Sequence, residues 1–483
     1  MSDKKNFGLK LDNVVVRKAF LMAGVCAVLF LILLILGPPF FTFDSYDYLH
    51  LSLFPKAGGS HPLGYGFILK ILSWVSNFIG KQNFTEVVLF WNALSLSFMF
   101  YLGFNPLVKY FKPTLPKKQK IMFLLLSLFF LLPVVMGILF VSNAFWSEAT
   151  NILHIGLFAI LAGYARRISW PVGFILAFFL GAWSYQTRYS EIVLPICFLG
   201  LSFVYLVRFF GLGHNDEFKL RAIRFLILFF GAIIGLNVSS IAIKYAYPAD
   251  DGQKYVTNLV VTASLQCALR CDVDLYQANC RSEEGRQIVE QSKCSELIFG
   301  LKPFGPMVLS PMAPIKEIFS HVGYSNVAKW AVIAPFTYLT DIHAMEMGLF
   351  QFADDKPAVD KYKEATAFYS DYLVTSAKKT PNAKFISMVQ FLDVLFYKYK
   401  LFHIFTGIAV VLSIYLIFVT VDPVILVLSF QALGTYLLFA YLNPHVPFRY
   451  LMIIIFPAFV AGLIHFISRK LVRLNSSISR QGT

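Results

Sequence analysis

Apolar segments close to the length that crosses a bilayer as a helix recur along most of this chain, and they leave little choice of fold class. About ten stand out, at approximately residues 19–41, 84–108, 121–141, 145–165, 170–185, 192–210, 225–245, 402–420, 424–442 and 451–467. Threaded alternately, they put residues 109–120, 166–167, 208–224 and 469–480 on one side together with Lys4, Lys5, Lys10, Arg17 and Lys18. All of these stretches are basic, so that side is expected to be cytoplasmic. With 57% hydrophobic and 14% charged residues and a mean hydropathy of +0.65, a soluble chain of 483 residues could not solvate its surface. The chain therefore reads as an all-α polytopic membrane protein of about ten transmembrane helices plus a mostly helical extracytoplasmic domain. Its net charge of +15 is the loop excess of Lys and Arg that orients such a chain. Because those basic residues are divided among short loops, a nucleic-acid partner is excluded. The first apolar run has no convincing small-residue cleavage site and outlasts a signal-peptide core, so it is expected to be a retained anchor.

Three parts follow from the pattern: residues 1–246 as an N-terminal transmembrane module with the first external loop, 247–400 as an extracytoplasmic domain, and 401–483 as a C-terminal transmembrane module. In the polar part, residues 283–297 and 358–377 read as helices. Cys26 and Cys197 fall inside spans and read as inert. Cys267, Cys271, Cys280 and Cys294 all lie in the external domain. Four cysteines outside the cytoplasm suggest two disulfides of open connectivity, with a zinc site as the competing reading.

The external polar residues supply the candidate chemistry. Asp44 and Asp47 are three apart, so on a helix they share a face and suit a general base or a divalent-cation site. Helix capping is the bland alternative. His61 opens a segment, 61–79, expected to lie along the membrane interface, and read alone it is a solvated loop residue. Glu148, with Asn151 on its face, and Arg188 with Glu191 stand at outer helix ends, where charges usually serve a cavity or a partner. A structural Arg–Glu pair is the competing reading. His445, Arg449 and Tyr450 border the last span on the same side. Two arginines facing one lumen suit a phosphate, whose oxygens match the guanidinium fork.

Phe43-Asp44-Ser45-Tyr46-Asp47-Tyr48 after the first helix, then Ser60-His61-Pro62-Leu63-Gly64-Tyr65, resembles the first external loop of the GT-C superfamily of multispanning glycosyltransferases. The resemblance extends to Trp146-Ser147-Glu148, Thr187-Arg188-Tyr189 and Phe448-Arg449-Tyr450, in that order and on one membrane side. Size and layout are similar to those of bacterial and phage-encoded enzymes that glucosylate lipopolysaccharide O-antigen. Two departures stand out: the acidic residues are separated rather than adjacent, and Pro62-Leu63 replaces a double proline. The resemblance implies a hexosyltransferase of the bacterial inner membrane with both termini cytoplasmic and a periplasmic active site. It would move a sugar from a polyprenyl-phosphate donor to a glycan, lipid or protein acceptor, with Asp44 favoured over Asp47 as base. Arg188, Arg449 and Tyr450 would hold the donor phosphate, and His61, Glu148, Glu191 and His445 would line the cavity. Magnesium or manganese on Asp44, Asp47 or Glu148 is an optional aid that the spacing does not demand. An O-antigen polymerase or ligase, and a lipid-linked sugar flippase or other transporter, are the alternatives.

Overall fold

The computed structural model describes residues 13–36, 43–55, 61–110, 147–211, 216–248, 363–373, 401–442 and 448–481, with isolated positions between 121 and 336. No strand occurs among them. In chain order the helices are α1 (Asn13–Leu36), α2 (Phe43–Leu53), α3 (Leu63–Ile79), α4 (Phe84–Tyr110), α5 (Glu148–Tyr164), α6 (Trp170–Thr187), α7 (Val193–Gly211), α8 (Asp216–Ala246), α9 (Lys363–Phe368), α10 (Leu401–Val419), α11 (Pro423–Leu442) and α12 (Phe448–Gln481). Short 3-10 turns, Lys81–Asn83 and Tyr189–Ile192, lead into α4 and α7.

Among the described residues five helical stretches are long and apolar enough to cross a bilayer: Lys81–Gly103, Tyr189–Gly211, Asp216–Ala246, Pro423–Tyr441 and Met452–Arg469. That is half the number read from the sequence, and the reasons are local. Ala19–Ile35 and Ile404–Val419 form shorter apolar helices. α6 ends in Trp183-Ser184-Tyr185-Gln186-Thr187, and α5 begins with Glu148, Thr150 and Asn151, so neither offers an unbroken apolar run. The segment expected at 121–141 lies almost wholly outside the described residues, as do residues 283–297. Leu63–Ile79 is a short apolar helix with Trp74, Phe78 and Ile79 exposed.

The main core is assembled from α1, α4, α5, α7, α8, α10, α11 and α12, with Ala177 of α6. α12 runs through it: Met452 to Ile467 is almost entirely buried. On the outside, Phe179, Phe203, Phe210, Phe230 and Phe418 are exposed, an apolar exterior suited to lipid. α6 and α8 pack so closely that a Cβ on Gly181 would fall on the Ala232 carbonyl, and one on Gly235 on the Phe178 carbonyl.

The two ends of the bundle differ in character. At one end Glu217 accepts from Arg166 at 2.8 Å and Arg221 at 2.5 Å. Arg208 and Arg469 there donate to the carbonyls of Thr420 and Val419. Asp422 lies between α10 and α11 and caps α11: its Oδ1 accepts the amides of Val424 and Ile425, and Pro423 occupies the first helical position. Arg166, Arg208, Arg221 and Arg469, from three of the basic stretches grouped by the sequence, thus meet at this end. α5 then carries the chain some 25 Å, at 1.5 Å per residue, to the opposite end, where Glu148 begins it.

A second apolar cluster covers that opposite end. Tyr48 and Leu49 of α2, Tyr65 and Leu69 of α3, and Phe84 and Val88 of α4 bury Tyr369 and Tyr372 from the large polar segment. Tyr369 is held by a 2.7 Å hydrogen bond to Ser52, and Tyr372 donates to Asn77 at 2.9 Å. Ala331 and Pro335, from the same polar segment, accept from Tyr441 and Tyr436 near the end of α11. Parts of that segment therefore lie against the Glu148 end through two separate anchorages.

Candidate functional site

The polar residues at the Glu148 end are positioned by short local devices. α2 begins at Phe43, and its helical geometry puts Asp44 and Asp47 on one face, as their spacing predicts. The Asp44 side chain lies outside the described atoms. Asp47 Oδ2 is 3.7 Å from His61 Nε2, within ion-pair range when the imidazole is protonated. His61 rests against the Tyr48 ring, with centroids 4.6 Å apart, and Tyr65 meets the same ring edge-on at 4.8 Å. Far from being a lone loop residue, His61 is held by its neighbours. Gly64 explains how this group reaches the bundle: a Cβ there would strike the backbone of Gln186, so only glycine lets α3 meet the end of α6 this closely.

The other half of the site is ionic. Arg188 Nη1 donates to Glu148 Oε1 at 2.8 Å, with both side chains largely buried. Arg188 Nε donates to Ser190 Oγ at 3.1 Å, and Nη1 approaches Ser147 Oγ at 3.4 Å. Ser147 Oγ also pairs with Tyr48 Oη at 2.9 Å, so a single serine links α2 to the Arg188–Glu148 pair. Glu191, the neighbour expected for Arg188, turns instead to His154 Nδ1 at 2.6 Å. The backbone explains the exchange. Arg188 is extended (φ −158°, ψ 129°) and a 3-10 turn follows it, so residues 188 and 191 do not share an α-helical face.

His154 stacks edge-on against Trp183, and Trp91 donates to Thr150 Oγ1 at 2.9 Å, so α4, α5 and α6 are cross-tied just beneath the ion pair. Four buried polar atoms here make no hydrogen bond among the described residues: Tyr65 Oη, Asn151 Oδ1, His154 Nε2 and Glu191 Oε1. Such an atom costs about 1–3 kcal/mol unless something satisfies it. Burial, and then the nearby Glu148 carboxylate, push the Tyr65 phenol above its usual range, which keeps it a donor.

Of the residues selected from sequence, Asp47, His61, Glu148 and Arg188 are therefore linked through Tyr48 and Ser147, while Glu191 pairs with His154. α11 runs from the basic end to this one, so α12 starts here too, with Arg449 and Tyr450 in its first turn. The side chains of Arg449 and Tyr450, together with His445, Cys267, Cys271, Cys280 and Cys294, lie outside the described residues. Cys26 and Cys197 are free and buried. Sequence reasoning missed Tyr48, Tyr65 and Ser147, although all three sit inside the motifs singled out. His154, within the α5 segment, pairs with Glu191 of the 3-10 turn that precedes α7. No group of three or more His, Cys, Asp and Glu side chains suited to a metal is found among the described residues. Asp44 is not among those side chains.

Comparison with protein-family models, curated proteins and solved structures returned no match to this chain.

Proposed function

We propose that the chain is a membrane glycosyltransferase that takes a sugar from a polyprenyl-phosphate donor at the Glu148 end of the bundle. The single observation that carries this reading is the convergence there of a carboxylate–imidazole pair, Asp47–His61, and a fixed arginine, Arg188, in a setting with unsatisfied buried polar atoms. An apolar exterior beside such a polar end suits a substrate whose tail stays in lipid while its phosphate and sugar enter the protein.

In the proposed step an acceptor hydroxyl loses its proton to a carboxylate of α2, Asp44 or Asp47, as its oxygen bonds to the anomeric carbon. The bond from that carbon to the phosphate oxygen breaks, and the electron pair leaves on the lipid phosphate. Arg188 meets the growing negative charge, joined by Arg449 from the start of α12. Glu148, Ser147 and Ser190 hold the guanidinium plane in advance, which lowers the ordering cost of binding. A magnesium or manganese ion at Asp44, Asp47 or Glu148 would help the phosphate leave. With the basic loops cytoplasmic, this end faces the periplasm of a bacterial inner membrane, and glycans such as O-antigen, lipids or proteins on that side are the acceptors.

The test is release of free polyprenyl phosphate by the purified protein from a panel of polyprenyl-phosphate sugars, with and without acceptors. Asp44→Asn and Asp47→Asn are expected to separate the base from its neighbour: one abolishes release and the other slows it. Release from none of the donors by protein that remains folded refutes the reading. Turnover of a lipid pyrophosphate glycan instead moves it to the polymerase or ligase class.

A further inference from the structure

The end of the bundle opposite Glu148 carries a feature that the transfer reaction does not use. A cavity of about 490 Å³ opens between the α5–α6 turn, α7, α8 and the start of α11. Arg166, Arg167, Arg221 and Arg224 line it with Tyr205 and Pro423. From these observations the structure assigns a second anion site here, one that takes a phosphate group.

Charge is the first argument. Against four guanidinium groups stand two carboxylates among the described residues. Glu217 bridges Arg166 and Arg221, while Asp422 caps α11 through the amides of Val424 and Ile425. The cavity is therefore net cationic. The second argument is the placement of the cations. Arg224 is anchored to the Ala165 carbonyl at 2.6 Å, Arg167 lies over the Tyr164 ring at 5.7 Å, and Arg221 lies over Tyr205 at 5.5 Å. Fixed guanidinium groups bind oxyanions with little further loss of freedom. The third is size: a cavity of this volume admits a phosphate with a small substituent.

The same chemistry is offered by an anionic lipid headgroup and by a soluble phosphate. The surroundings fit the lipid, because Trp170, Val172, Leu220 and Ile223 on α6 and α8 are exposed beside the loops that form the cavity. This inference does not depend on the transferase reading.

Two arms distinguish the sources in full-length, detergent-purified protein. Native mass spectrometry counts phosphatidylglycerol against phosphatidylcholine retained, and calorimetric titration follows inorganic phosphate. At least one arm is expected to saturate. Arg167→Gln with Arg221→Gln should weaken that binding by more than about tenfold, the value of one charge-assisted contact. Glu217→Gln, which releases Arg166 and Arg221 from their competitor, should tighten it severalfold, a result that a merely damaged protein would not give. Saturation by phosphatidylglycerol alone identifies a lipid headgroup site, and saturation by phosphate identifies a soluble ligand. Binding in neither arm, or no gain in affinity with Glu217→Gln, overturns the assignment.

Discussion

Arg188→Gln and Glu148→Gln, made singly and together, test the centre of the site most directly. Nη1 and Oε1 are 2.8 Å apart, and relative exposure of the two side chains is 11% and 2%. At an effective dielectric near 20, unit charges about 4 Å apart attract by about 4 kcal/mol. Much of this is spent on dehydrating both groups, so the pair adds little net stability over neutral residues. Removing one partner is different, because it strands the other charge in the same dry position. Each single variant is expected to lose about 3–5 kcal/mol. The double variant strands neither charge, and its two amides can still pair, so its loss should fall well short of the sum, by about 2 kcal/mol or more. The assay is reversible unfolding in mixed micelles of increasing denaturing-detergent fraction, read by circular dichroism for all four proteins. If the single losses add to the double loss within about 0.5 kcal/mol, the charges are not coupled and the argument fails. That result would also remove the reason for regarding Arg188 as held in advance for a phosphate.

Three further outcomes follow from the packing. Gly64→Ala should cost about 1–3 kcal/mol, because its Cβ would meet the Gln186 backbone and push α3 away from α6. A melting temperature equal to that of the parent protein would count against this close approach. Asp422→Ala should cost about 1 kcal/mol through loss of the α11 cap, while Asp422→Asn loses little. Asp422 reaches the surface, but the atoms packed around it keep enough water away to raise its carboxyl, so its charged form is the disfavoured one in the folded state. With the folded value above the unfolded one, the folded chain binds the extra proton, and stability falls as pH rises from about 4 through that raised value. Asp422→Asn should flatten this slope in a pH series of unfolding measurements, and an unchanged slope would refute it. Tyr369→Phe removes the hydrogen bond to Ser52 at a cost of about 1 kcal/mol. Limited proteolysis should then cut the polar segment near residue 369 faster, and an unchanged rate would show that the anchorage does not hold it.

Much of the site could be read from the chain because charge is rare in it. In a protein this apolar, Asp47, Glu148, Arg188 and Glu191 stand out wherever they occur, and three-residue spacing on a helix predicts correctly that Asp44 and Asp47 share a face. Partner choice was not readable in the same way. Arg188 and Glu191 have that same spacing, yet the chain is extended at one and in a 3-10 turn at the other, so each bonds a residue about forty positions away. Tyr48 and Ser147 carry no charge to draw attention, and their role appears only when α2 is laid against the start of α5.

The sequence alone determined that the chain is helical and largely apolar and that its acidic and guanidinium groups gather at helix ends. Hydration and backbone hydrogen bonding impose these properties segment by segment, so local composition suffices to reveal them. Tertiary structure decided how many helices are long and apolar enough to span, which charges neutralise one another, and where a cationic cavity opens. Those depend on glycine-mediated contacts such as Gly64 against Gln186 and Gly181 against Ala232, which bring distant segments within atomic reach. No single segment contains the information for such a contact.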